Sequence, residues 1–155
     1  MAKNTISVKT YNNNREEFVA NAAITPGHLV EVMSTGKLRV HATQTGNVGP
    51  KRFALEDDIQ GNGVGDAYSA NNKVQTKVFL PGEKVLARLA DGTSYAIGDL
   101  LESAGDGTLQ KFTLDTGSDI GSLYTQNLVG IMREALDLSS SSGADTTYLA
   151  VVEII

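Results

Sequence analysis

Phe112-Thr113-Leu114-Asp115-Thr116-Gly117-Ser118 has the clearest chemical spacing in the chain. It is an apolar-x-apolar-D-T-G-S run of the kind that presents one carboxylate of an aspartic peptidase. In such a site two Asp share one proton, so one activates water while the other protonates the scissile carbonyl. A chain with one copy would take its second Asp from a homodimer of the retroviral type. Placement opposes this reading: Leu128-Val129-Gly130, the segment that would brace the active-site loop, follows Gly117 by thirteen residues and leaves no room for a flap hairpin. Asp-Thr-Gly is also ordinary turn chemistry, because Asp caps local backbone and Gly takes positive φ. A homodimeric peptidase using Asp115 therefore stands as the alternative reading, beside a receptor- or carbohydrate-binding β module for which no Trp, four Phe and five Tyr offer few stacking platforms.

Other motifs carry less. Gly61-Asn62-Gly63-Val64-Gly65 lacks the Lys of a phosphate-binding loop, and Asp115 to Gln126 ends on Gln where a calcium loop needs Glu. Glu56, Asp57 and Asp58 read as a solvated acidic turn, with Ca²⁺ binding the lesser option. His28 and His41 have no evident metal partners in the sequence. Zero Cys excludes disulfides, thiolate zinc sites and cysteine nucleophiles. No catalytic residue, metal or cofactor is expected on these grounds.

The elements that would position any site follow from a repeat. Ile24 to Ala42 and the stretch from Tyr95 align without a gap, matching Gly27 with Gly98, Leu29 with Leu100, Glu31 with Glu102, Gly36 with Gly107 and Leu38 with Leu109. Each copy reads as a Gly turn, a short strand with an outward Glu, a second Gly turn and a second strand, which is a hairpin signature. The four Leu are expected in the core, and His28, matched with Asp99, in an exposed turn. A looser third copy opens at Pro81-Gly82 and closes at Asp91-Gly92. Between the copies, Val74 to Leu80 and Lys84 to Leu89 are the clearest strands and are expected to pair across Pro81-Gly82-Glu83. Lys51 to Leu55 and Tyr148 to Ile155 add further strands; Asn127 to Leu136 fits a strand with a bulge at Gly130 or a short helix, and the mid-run Gly favours the strand, whereas Gln60 to Lys73 is a long loop around Tyr68. The result is an all-β fold, a small antiparallel barrel or sandwich of short strands with Gly-rich turns.

At 155 residues a single domain can bury roughly 68–70% of its unfolded surface. We divide the chain into an extended N-terminal arm over 1–22 and one β domain over 23–155. Ile6 to Thr10 alternates with period two, a strand that needs a neighbour to pair with; that neighbour could lie in another chain. A net charge of −5 argues against nucleic acid, no apolar run approaches the ~20 residues of a membrane span, and no secretory leader is evident.

Together FVANAAITPGHLVEV, GKLRVHA, RFALEDDIQGNGVGDAYSANNKV, LPGEKVLARLADG, YAIGDLLESAGDGTLQKF and LVGIMREALDLSSSSGAD resemble the small head decoration, or capsid cement, proteins of tailed bacteriophages, from about Phe18 onward. The resemblance implies an all-β virion protein without enzymatic activity, made in a bacterial cytoplasm and bound to the capsid exterior. There it would bridge major capsid protein subunits, as a dimer or trimer. The contact residues expected are Lys3, Thr5, Ile6, Val8, Lys9, Tyr11 and Arg15 of the arm, which would add a strand to a neighbour, with Phe53 and Tyr68 as apolar candidates.

Overall fold

The computed structural model describes residues 3–46, 48–113, 128–141 and 148–155, and among them every regular element is a β-strand. In chain order these are β1 (Ser7–Lys9), β2 (Glu16–Val19), β3 (Val30–Val32), β4 (Leu38–Val40), β5 (Arg52–Ala54), β6 (Lys73–Val78), β7 (Lys84–Arg88), β8 (Ser94–Tyr95), β9 (Leu100–Ser103), β10 (Leu109–Lys111), β11 (Leu128–Met132), β12 (Leu136–Asp137) and β13 (Leu149–Ile154). They form a six-stranded sheet in the order β1-β7-β13-β11-β9-β10, a three-stranded sheet β2-β6-β5, and the pairs β3-β4 and β8-β12. Named strands pair antiparallel throughout. The sheets stay open and close no barrel, so the architecture is that of a small sandwich.

Apolar residues alternating along the strands build the core. Its larger cluster gathers Ile6, Phe53, Leu55, Phe79, Val85, Leu89, Leu101, Leu109, Met132 and Val152, among others, around the six-stranded sheet. Phe53 and Phe79 meet edge to face with ring centroids 5.8 Å apart, a geometry worth about 0.5–1.5 kcal/mol beyond area burial. A smaller cluster of Ala20, Ile24, Val30, Leu38, Ala54, Tyr68 and Val74 sits beneath β2-β6-β5 and β3-β4.

The repeat is visible in atoms. Thr25-Pro26-Gly27-His28, Leu80-Pro81-Gly82-Glu83 and Ala96-Ile97-Gly98-Asp99 are one turn made three times. In each the fourth residue's N–H donates to the first carbonyl, at 3.2, 3.0 and 3.1 Å, and the third-position Gly takes φ of 88°, 87° and 96°. A fourth-position side chain then accepts from the first backbone N–H: His28 Nδ1 at 3.4 Å, Glu83 Oε2 at 2.8 Å and Asp99 Oδ2 at 2.8 Å. Both expected hairpins form as β3-β4 and β9-β10.

Several expectations are corrected. β6 and β7 do not pair with each other: β6 joins β2 and β5, whereas β7 joins β1 and β13. The turn at 80–83 passes the chain between sheets, held by the Gly82 N–H donating to the Ile154 carbonyl at 2.9 Å. Leu100 is 38% exposed and Leu101 takes the core position, since a one-residue offset turns a strand side chain to the other face. Glu102 is buried rather than outward, and burial raises its carboxyl above the usual range against bonds from Gln110 and the Thr113 backbone. His28 is half-buried, not exposed; desolvation and then the Arg88 guanidinium lower it from 6.5 to about 4, with Asp106 opposing. The bulge in β11 is present, with the register against β9 shifting between Leu128 and Gly130. A Cβ at Gly130 would lie 2.5 Å from Val152 Cγ1, so glycine there permits close approach of β13.

Candidate functional site

The arm residues lie along one edge of the molecule, and two carboxylates fasten them there. Glu56 receives the Thr5 hydroxyl at 2.5 Å and the Ile6 N–H at 3.0 Å. Glu83 receives the Tyr11 N–H at 2.5 Å. Between these clamps, Ile6 is fully buried in the main core, and the Leu86 N–H donates to the Ile6 carbonyl at 2.8 Å. Ser7 and Lys9 stand opposite Val85 and Lys84 as β1 extends the sheet from β7. The strand pairing expected of this segment is therefore made within the same chain.

Glu83 can hold the arm because its own charge is matched. Lys77 Nζ lies 2.8 Å from each of its oxygens, and both side chains are 0% exposed. Desolvation pushes the Glu83 carboxyl up, but the Lys77 bond and the backbone bonds from Leu80 and Tyr11 outweigh it and leave it below the usual range. Lys77 Nζ also sits 4.3 Å from the Phe79 ring centroid, a favourable placement of a cation over an aromatic face. Glu56 faces inward too; with Asp57 also buried, the expected solvated acidic turn is corrected to an anchor for the arm. Among the described residues, no group of three or more His, Asp or Glu is arranged to hold a metal ion.

Val8, Lys9, Tyr11 and Arg15 of the arm are exposed and Lys3 is half-buried. Lys3 bonds the Leu149 carbonyl and pairs with Glu134 at 3.1 Å, Val8 is 46% exposed and Tyr11 61% exposed, and Lys9 Nζ lies 5.4 Å from the Tyr11 ring centroid. The Tyr11 hydroxyl packs over Gly82, where a Cβ would come within 2.7 Å. Arg15 reaches Asp58 at 3.0 Å and Gln75 at 2.9 Å. Next to β1, a groove of about 400 Å³ runs between Lys3, Val8, Leu86, Arg133 and Val151. Ser7 also lines it, with a buried hydroxyl that has no hydrogen-bond partner among the described residues.

Phe53 and Tyr68, named as apolar contact candidates, are both core residues and offer no outward ring. The Tyr68 hydroxyl donates to the Leu55 carbonyl at 2.9 Å, and burial pushes its pKa to about 12. What the 60–73 loop exposes instead is a polar cleft of about 440 Å³ lined by Asp57, Asn62, Asp66, Asn71 and Lys73 above the Tyr68 ring. Arg88 ties the base of this loop to the first turn, donating to the Val64 carbonyl at 2.9 Å and the Pro26 carbonyl at 2.8 Å. Asp115 lies outside the described residues. Neither Glu56 nor Glu83 was singled out from sequence as an anchor; the available signal was Glu83 in the third turn, at the position where Asp99 accepts a backbone N–H. Compared with protein-family models and with curated proteins, the chain finds no match.

Proposed function

We propose that this chain is a structural protein of a phage virion that binds the outer surface of the capsid and stabilises it by bridging major capsid protein subunits. The observation that carries this reading is that the N-terminal segment supplies the outer strand of both larger sheets, β1 beside β7 and β2 beside β6. An outer strand offers unpaired N–H and C=O groups to a partner strand. The sequence resemblance to capsid cement proteins points to the same partner. Repetition around a shell lets many modest contacts act together, since each added engagement raises effective affinity. Self-association as a dimer or trimer belongs to the same reading, closed symmetry being usual for homo-oligomers.

The test is addition of purified protein to empty expanded heads. Saturable binding with a fixed number of copies per head, together with protection against heat or chelator, is expected. Absence of saturable binding overturns the proposal.

A further inference from the structure

The loop between the repeat copies contains Asn62-Gly63, the only Asn-Gly step among ten Asn in the chain. An Asn side-chain amide followed by Gly is open to attack by the next backbone nitrogen, because glycine has no Cβ to hinder the approach and its backbone turns freely. Asn62, Gly63 and Asp66 are all exposed. The Gly63 N–H, the nitrogen that would attack, donates to Asp66 Oδ2 at 2.7 Å, a short bond of the charge-assisted kind. Asp66 is held in place by its own N–H, which donates to the Gly63 carbonyl at 3.1 Å.

The other steps in the described residues that could form the same ring lack this feature. Asp91-Gly92 and Asp106-Gly107 have glycines at positive φ whose N–H groups donate to the carbonyls of Leu138 at 3.0 Å and His41 at 3.2 Å. Those are amide oxygens and poor bases. Only at Gly63 does the attacking nitrogen face a carboxylate.

We propose that Asn62 is a self-modification site, with Asp66 as the general base. The Gly63 nitrogen bonds to Asn62 Cγ while its proton passes to the Asp66 carboxylate. That proton is handed to the departing amide nitrogen, the Cγ–Nδ2 bond breaks, and ammonia leaves a five-membered succinimide. Water then opens the ring at one carbonyl or the other to give Asp or isoAsp, with no change of oxidation state. Either product places a new carboxylate in the cleft that Asp57 and Asp66 already line and moves the net charge one unit below −5. The isoAsp product also lengthens the backbone by one atom inside a loop tied down by Arg88.

The full chain, incubated at neutral pH and followed by peptide mass spectrometry, tests this. Conversion of amide to acid at Asn62, with both Asp and isoAsp products, is expected at least as fast as in an excised peptide covering 60–67. Asp66→Asn, verified as folded by thermal melting, is expected to slow it by about a hundredfold, the low side of what a positioned base supplies. An internal base also makes the rate in the wild-type chain rise less steeply with pH than in the peptide, where hydroxide must take the proton. Retention of the Asn62 amide while the peptide converts overturns the site. Conversion of Asp66→Asn at the wild-type rate, or equal pH slopes in chain and peptide, overturns the role of Asp66.

Discussion

At the residue scale, three chemically different side chains hold the same post in the three turns: a neutral imidazole, a buried carboxylate and a half-buried one each accept the N–H three residues back. Only the imidazole loses its acceptor on protonation in mildly acidic solution. The ordinary value for His28 is 6.5 and in the folded chain it is about 4, so the unfolded chain takes up the proton first. Stability is then intact above about pH 6.5 and declines as pH falls toward 4, by at most about 3 kcal/mol from this group. Urea midpoints measured across that range should fall in the wild type. In His28→Asn, which keeps an acceptor but cannot titrate, the fall should be shallower by the His28 share; an unchanged slope would remove His28 as its cause. The pairing of His28 with Asp99 was legible from the repeat, whereas the burial of His28 was not. Its ring lies against the turn between β9 and β10, far along the chain, with Cγ 3.1 Å from where a Gly107 Cβ would stand.

At the element scale, a turn is written locally and a strand's partner is not. Gly27, Gly82 and Gly98 announce three turns because only glycine adopts their positive φ without strain. Yet the third turn gave the wrong neighbour: Pro-Gly between two β-rich runs reads as a hairpin, while the Lys77–Glu83 pair and the Ile154 carbonyl direct β7 to another sheet. The bulge in β11 was legible because one Gly sits mid-run. The shift that exposes Leu100 was not, since Leu100 and Leu101 are equally apolar and β11 and β10 decide between them. The turns also differ in crowding. Among the described residues a Cβ at Gly98 meets nothing within 4 Å, but at Gly27 it would lie 2.8 Å from Leu149 Cδ2 and 3.1 Å from the Leu86 carbonyl. Gly98→Ala should therefore cost about 1–2 kcal/mol of backbone strain, and Gly27→Ala should add about 1–3 kcal/mol of overpacking. Equal losses in denaturant unfolding would contradict the assigned packing.

At the scale of the whole molecule, the arm is both a part of the fold and the strand offered to a partner. Its outward residues were legible as a surface; its anchoring was not, because Glu56 and Glu83 lie some fifty and seventy residues from the backbone they hold. Deleting residues 1–12 removes Ile6 from the core, and loss of a buried Ile side chain alone costs about 2–5 kcal/mol. It also leaves Glu56 without the bonds from Thr5 and Ile6. The truncated chain should unfold at a markedly lower urea concentration, and Ile6→Ala should reproduce much of the loss. An unchanged midpoint would mean that the arm does not dock on its own sheet in solution. Comparing capsid binding by Ile6→Ala and by the truncated chain then separates the arm's structural share from any contact it makes outside the fold.

β13 lies between β7 and β11 in the six-stranded sheet. Without it the ladder is broken between β1-β7 and β11-β9-β10, which then touch, among the described residues, only through the single bridge between Leu89 and Leu109. The strand that joins them is the last of the described strands in chain order, and it pairs with β7 across a span of some sixty residues. As the polypeptide is synthesised, both pieces emerge with a bare inner edge and wait for it. Loop closure over such spans is slow compared with local pairing, so this interval is when the chain is most open to strand pairing with its neighbours on a polysome. Folding yield should therefore depend on how quickly the β13 segment follows, more than on the stability of the finished sandwich.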